Sequence, residues 1–357
     1  MIRSVRQGFI VFFAGFAFSA CSGEHPAPIQ YSDAQNPEVE ASREVRLARL
    51  VEVQRYGIPD QPASDSVRAG GAVLAQIAKA VDDDMGRVYV LDAGFKKIAV
   101  FSPRGTLDRV ILGGHGEGPG EFKHPTSLWV TPDGGTIAVF DYSQGRVSLF
   151  DGVGEVIETH PVPRAKDVAL FEGRIIGTRM PGVDFILWIL DTQSGRLWDS
   201  LRVDPGHSQF YPRGSIARIG QDRNGAPLIG HHRPGLLLDW TSANPRFIGT
   251  EILGDREAKV FDGIAVSPGA TVGVGEQGDG SYLVAYVKRD LSDDQRPGGN
   301  EHFIEILSPT GLPRARVNLG EETITSFHGS RDGTSILLSH HDPYPYVARY
   351  VIEWEQP

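Results

Sequence analysis

Two neighbouring stretches of this chain are copies of one another, and that repeat limits the fold more than any other feature. Residues 81–105, VDDDMGRVYVLDAGFKKIAVFSPRG, lie over residues 130–154, VTPDGGTIAVFDYSQGRVSLFDGVG, without a gap. Asp84 meets Asp133, Gly86 meets Gly135, Asp92 meets Asp141, Phe101 meets Phe150 and Gly105 meets Gly154. Each copy reads as strand, Asp/Gly turn, strand, polar turn, strand, Gly turn, strand. A four-stranded meander recurring about every 40–50 residues cannot bury its faces alone. Copies set side by side around an axis can, and the result is a β-propeller.

Fainter copies run through the rest of the chain. IEILSPTG at 304–311 matches IAVFSPRG at 98–105, and DGTSILLS at 332–339 follows DGGTIAVF at 133–140. QDRNGAPLIGHH (221–232) repeats the second-strand turn, and FILWILDTQSGRLWDSLRV (185–203) repeats the outer hairpin. Six blades result, at about 71–114, 122–162, 166–204, 214–254, 261–320 and 323–356. The composition agrees: 40% hydrophobic residues supply a core, and 43 glycines with 24 prolines supply turns. The fold class is therefore all-β, a six-bladed β-propeller. Its last blade has three strands of its own, TITSFHGS, TSILLSHHD and YVARYVIEWE, and Val45 to Tyr56 offers a spare one. Pairing this N-terminal strand into the last blade closes the ring and hides sheet edges, so residues 45–357 form one domain.

The run GHGEGPGEFKHPTSLWVTPDGGTIAVFDYSQGRVSLFD resembles the NHL-repeat group of six-bladed propellers, and bacterial propeller lipoproteins in particular. The likeness covers blades 1 and 2 and thins beyond them. It implies a fold and a location and no particular activity.

The N-terminus carries its own signal. Arg3 and Arg6 precede an uncharged, mostly apolar run from Gly8 to Ala20, too short for a membrane-spanning helix and suited to the core of a signal peptide. It ends Phe18-Ser19-Ala20-Cys21, which resembles the bacterial lipobox, with Phe18 where the usual motif has Leu. The resemblance implies removal of residues 1–20, then lipidation and acylation of Cys21. Residues 21–44 are then the lipidated cysteine and a polar, Pro-containing tether. By resemblance to the usual lipoprotein sorting rule, Ser22 after the cysteine implies the outer membrane, with the propeller on the periplasmic or the surface side. Cys21 is the only cysteine, so no disulfide forms within the mature chain and no cysteine nucleophile remains. Loss of Arg3 and Arg6 without any acid moves the formal charge from −10 to −12, which repels phosphate backbones and argues against nucleic acid as a partner.

GGHGEGPGEFKHP (113–125) invites a nucleotide reading, which fails. Its glycines are spaced i, i+2, i+4, i+6, a strand follows them, and no Gly-Lys-Ser/Thr is present. In a propeller it joins the outer strand of blade 1 to the inner strand of blade 2, with Phe122 expected to plug the gap between blades. Asp82-Asp83-Asp84 looks like a calcium cluster, but its copy, Thr131-Pro132-Asp133, marks a hairpin turn and the EF-hand spacing is not met.

Histidines supply the candidate chemistry. In an antiparallel blade the loops after the second and fourth strands leave on one face. His115, His124, His160 and His207 fall at blade connections, and His231, His232, His302, His340 and His341 at second-strand ends, leaving His25 and His328 elsewhere. His232 and His340 are expected in the slot of Asp92 and Asp141. Four such groups facing an axial funnel could hold a divalent metal or move protons, as the gluconolactonase-type and amidating six-bladed enzymes imply by resemblance. Alternatively, these side chains bond loop amides within each blade. Tyr344-Pro345-Tyr346 offers rings to stack on a sugar or peptide, and Asp290 to Asn300 reads as a charged flap. Two functions follow. One is an envelope module that binds or scaffolds a protein, peptide or glycan, anchored to the membrane by lipid. The other is a metal-assisted hydrolase or lyase in the funnel. The first is preferred, and no Ser-His-Asp set with a nucleophile elbow is evident in the sequence.

Overall fold

The computed structural model describes residues 46–57, 72–162, 165–179, 185–202, 218–231, 235–239, 246–249, 252, 259–261, 264–266, 268–291, 299–320 and 324–354. Every regular element among them is a strand, and no helix long and apolar enough to cross a membrane occurs there. Blade 1 is β2 (Ile77–Asp82), β3 (Val88–Asp92), β4 (Lys97–Phe101) and β5 (Leu107–Leu112). Blade 2 is β6 (Pro125–Val130), β7 (Thr136–Asp141), β8 (Arg146–Asp151) and β9 (Val156–Pro161). Blade 3 comprises β10 (Ala165–Phe171), β11 (Arg174–Arg179), β12 (Phe185–Asp191) and β13 (Leu197–Arg202). Blade 4 comprises β14 (Arg218–Gln221), β15 (Pro227–Gly230), β16 (Leu236–Asp239) and β17 (Arg246–Gly249).

The chain departs from the expected spacing after blade 4. A separate two-stranded sheet, β18 (Lys259–Phe261) with β19 (Ile264–Val266), precedes blade 5, which begins only at Gly269 and not at 261. Blade 5 is β20 (Gly269–Glu276), β21 (Tyr282–Arg289), β22 (Asn300–Leu307) and β23 (Pro313–Gly320). Blade 6 takes β24 (Phe327–Gly329), β25 (Ser335–His340) and β26 (Tyr346–Trp354), and β1 (Arg46–Tyr56) lies antiparallel on β26 from Ala48↔Trp354 to Tyr56↔Val347. At its start β1 also pairs in parallel with β23, Arg46↔Ala315 and Leu47↔Arg316, so blades 5 and 6 share one eight-stranded sheet.

Burial explains why the strands read as they do. The middle strands are covered on both faces by neighbouring blades, so β3 and β4 are buried at every residue. Outer strands meet water, and β9 (VIETHP) is mostly exposed. The core sits between blades. Tyr89, Leu91, Ile98 and Val100 of blade 1 pack on Leu128, Ile137 and Phe150 of blade 2. Tyr56, Leu337 and Val347 of blade 6 pack on Ile77, Val88 and Phe101 of blade 1.

The glycine-rich stretch is the crossing between blades 1 and 2. Phe122 is 1% exposed and meets Phe150 edge-on at 5.9 Å, filling the interblade gap. A Cβ on Gly113 would collide with the Phe122 ring, and Gly120, at φ +76°, has Val156 against it. Arg146 donates to the carbonyls of Glu117, Gly118 and Glu121, so blade 2 clamps the crossing. Removing a buried aromatic from such a site costs about 3–5 kcal/mol. Phe122→Ala is therefore expected to lower the urea midpoint by a corresponding amount, whereas Leu112→Ala, at an exposed position, is expected to leave it nearly unchanged.

Candidate functional site

Each blade's first strand is its innermost: β2, β6, β10, β14, β20 and β24 touch one another in sequence around the ring. Each of these strands buries at least one polar residue among apolar ones: Lys79 and Asp82 in β2, Ser127 in β6, Asp167 in β10, Gln221 in β14, Thr271 in β20 and His328 in β24. Contacts between blades that are not neighbours in the ring can occur only at its centre, and Lys79 with Asp167 and Ile219, and Gln221 with His328, make them.

The upper layer centres on Asp167, which is 4% exposed. Lys79 of blade 1 donates to its Oδ1 at 2.7 Å and to the Ile219 carbonyl of blade 4 at 3.3 Å. Ser127 of blade 2 donates to the same Oδ1, and the Ile219 amide reaches Oδ2 at 3.1 Å. Thr178 Oγ1 accepts from the Asp167 amide at 3.0 Å. Burial would push the Asp167 carboxyl up, but the Lys79 and Arg218 charges and these hydrogen bonds hold it below the usual carboxylate range.

The lower layer centres on Asp82 and His328. His328 Nε2 stands 2.9 Å from Asp82 Oδ1 and 3.0 Å from Gln221 Nε2, joining blades 1, 4 and 6. Arg349 Nη2 donates to Asp82 Oδ2 at 3.0 Å, and Arg331 donates its amide to Asp82 Oδ1 and its Nη2 to the Val130 carbonyl. Burial tends to raise the Asp82 carboxyl; the His328 hydrogen bond, the Arg349 charge and the Arg331 amide reverse this and lower it. Burial lowers the His328 imidazole despite its acidic partner. The triple aspartate is thus divided. Asp82 belongs to the axis, while Asp83 closes its hairpin turn by accepting from Met85 N, Arg87 N and Nε, and Tyr89 OH.

The expected rim residues lie apart from this column. Asp92 accepts from the amides of Ala75, Gln76, Gly94 and Phe95 at 2.9–3.1 Å. Asp141 likewise accepts from the amides of Lys123, His124 and Gln144. Both carboxylates are thus spent on tying the second-strand end to the incoming connection, the amide-bonding alternative read from sequence. Registers Asp82↔Val88, Val130↔Ile137, Gln221↔Pro227 and Gly329↔Ile336 place His231, and not His232, level with Asp92, Asp141 and His340. His232 itself, like Cys21 and residues 292–298 of the charged insertion, lies outside the described residues. His340 is buried, bonded to Tyr350 OH at 2.9 Å and stacked on Tyr346 at 4.6 Å. His341 meets Thr325 Oγ1 at 2.9 Å, His124 packs edge-on against Tyr142, and His115 pairs with Phe122 in the exposed crossing. Among the described residues no three His, Cys, Asp or Glu side chains come together as a metal site.

Sequence reasoning set His328 aside and did not single out Lys79 or Asp167. The available signal was one charged or amide residue in the middle of an apolar strand, repeated at the same place from blade to blade, as in IAKAVD, AKDVALF and SFHGS.

Six four-stranded units around a polar axis define a six-bladed β-propeller. In agreement, residues 72–171, spanning blades 1 and 2 and the inner strand of blade 3, match a family of unknown function described as "6-bladed beta-propeller". A Bacteroides vulgatus member of the duf4221 family is similar in structure, with TM-score 0.61 at 10% identity over 87% of this chain and 100% of that one. A Bacteroides fragilis protein described as exported gives TM-score 0.57 at 11% identity over 88% of this chain and 98% of its own. At such identities the likeness is one of fold. A comparison with curated proteins found no match.

The lower layer makes stability depend on pH. With its folded value lowered, His328 stays neutral where the unfolded chain's histidine takes up a proton, so stability falls as pH drops below about 6.5. The contribution from Asp82, whose value is also lowered, is present above the unfolded carboxylate range and is lost only as pH falls through the folded value. The melting temperature is expected to drop between pH 7.5 and 5.5, and His328→Gln to flatten that drop; an equal slope in the variant would refute the assignment.

Proposed function

We propose that this chain is a lipid-anchored propeller of the NHL type that works in the bacterial envelope as a binding or scaffold module for a protein, peptide or glycan. The observation that carries the reading is an aromatic ladder on the connection face of blade 6. His340 stacks on Tyr346 at 4.6 Å and 10°, and the Arg55 guanidinium lies over the same Tyr346 ring at 4.1 Å from its centroid. Tyr344 leans on Tyr346 at 5.5 Å and is only half-buried, with its hydroxyl accepting from Arg55 Nη1 at 3.1 Å. A fixed, partly exposed ring backed by a cation suits stacking on a sugar or on an aromatic peptide side chain at low entropic cost. Cys21 in its lipobox-like setting supports the anchor, and a structural neighbour described as exported is consistent with the location.

Protein extracted from membranes in detergent is the material for the test. Its intact mass is expected to carry lipid, and Cys21→Ser to move the chain to the soluble fraction. Crosslinking in intact cells, followed by capture on this protein, is expected to recover one specific envelope component, with binding weakened roughly two- to tenfold by Tyr344→Ala. Identical recoveries from the wild type and Tyr344→Ala would overturn the role of this face.

A further inference from the structure

The inner strand of blade 3 is irregular where it reaches the connection face. Its register shifts between Ala165 and Val168. In a regular strand Lys166 and Asp167 would project to opposite sides, whereas a bulge re-aims one of them. Asp167 is already saturated by Lys79, Ser127 and the amides of Val168 and Ile219.

Two further cations nonetheless act on that one carboxylate. The charge of Arg218, at the start of β14, acts on both Asp167 and Lys166. Arg218 Nε is buried without a hydrogen-bond partner. The nearby Arg218 charge, then burial, pushes the Lys166 ammonium down; burial does the same to the Arg218 guanidinium, with Asp167 opposing it. Lys79 bonds Asp167, Lys166 precedes it in the chain, and the Ile219 amide next to Arg218 reaches its Oδ2, so three cations gather about a single acid in a chain of net charge −10. Unlike Lys79 and Asp167, Lys166 and Arg218 are only half-buried, and both stand where connections deliver the chain to its inner strands.

We propose that Lys166 and Arg218, backed by Lys79, form a binding site for one oxyanion group, a carboxylate or a phosphate, carried by a ligand that reaches the connection face. The proposal rests on the reading that this face is the binding face. An oxyanion would relieve the repulsion between Lys166 and Arg218, and would give Arg218 Nε the acceptor it lacks.

The full lipoprotein in a non-ionic detergent, titrated calorimetrically at low salt with inorganic phosphate and separately with acetate, tests this. One-to-one binding of at least one probe is expected, with a matching rise in melting temperature. Lys166→Gln and Arg218→Gln are each expected to weaken it by at least about tenfold, the effect of losing one charge-assisted contact. Lys166 is half-buried and makes none of the hydrogen bonds to Asp167, so its variant should keep the wild-type melting temperature without ligand and report on binding even if Arg218→Gln unfolds. Lys288→Gln, at an exposed end of β21, should leave affinity intact. Tighter phosphate binding would assign a phosphorylated ligand, and tighter acetate binding a peptide terminus or acidic sugar. No binding by either probe, or equal weakening by Lys288→Gln, would overturn the site. Partner capture sensitive to Tyr344→Ala but without anion binding would sink this inference alone. Anion binding without any captured partner would instead sink the reading of the face as a partner surface.

Discussion

The Lys79–Asp167 ion pair at the centre of the ring fixes how the blades meet. Lys79 is 9% exposed and Asp167 4%, so neither charge has bulk water to fall back on. A buried pair of this kind adds little net stability over an apolar substitute, but removing one partner costs about 3–5 kcal/mol because the other charge is left bare. Its value is in specifying geometry. Only one arrangement of blades 1, 2, 3 and 4 satisfies both charges, the Ser127 hydroxyl and both backbone groups of Ile219. Interblade faces of Val, Ile, Leu and Phe resemble one another and would tolerate sliding; the polar column does not.

The second layer applies the same logic to the other end of the axis. Asp82, His328, Gln221, Arg331 and Arg349 connect blades 1, 2, 4 and 6, so the two layers together tie the first blade to the last. Chain closure adds the β1–β26 ladder at the circumference. The ring is thus restrained at its hub by charge and at its edge by backbone hydrogen bonds, while the space between is filled with apolar side chains.

How much of this was legible follows from the range of each interaction. The repeat, the turns and the crossing at Gly113 to Phe122 are local patterns, and the strand order follows from them. The start of blade 5 was misplaced because Lys259–Val266 forms an extra hairpin whose short apolar strands mimic the first strand of a blade. His231 and not His232 shares the Asp92 level because a single-residue shift in a short strand exchanges the two sides of a sheet, and only cross-strand pairing reveals it. The axial column was hidden for a different reason. Lys79 meets Asp167 across 88 positions of the chain and His328 meets Asp82 across 246, and these partnerships exist only once the ring has closed. Asp92 and Asp141 drew attention because they repeat, yet repetition there reflects a shared turn, with each carboxylate holding three or four loop amides.

The direction of β1 sets an orientation. Its last residue, Tyr56, pairs with Val347 beside the aromatic ladder, and Ala48 pairs with Trp354 at the far end of the same ladder of hydrogen bonds. The chain therefore enters β1 on the side of the disc opposite the connections. Arg46 and Tyr344 thus stand on opposite faces of the disc, so a group attached through the start of β1 begins on the far side from Tyr344, Lys166 and Arg218.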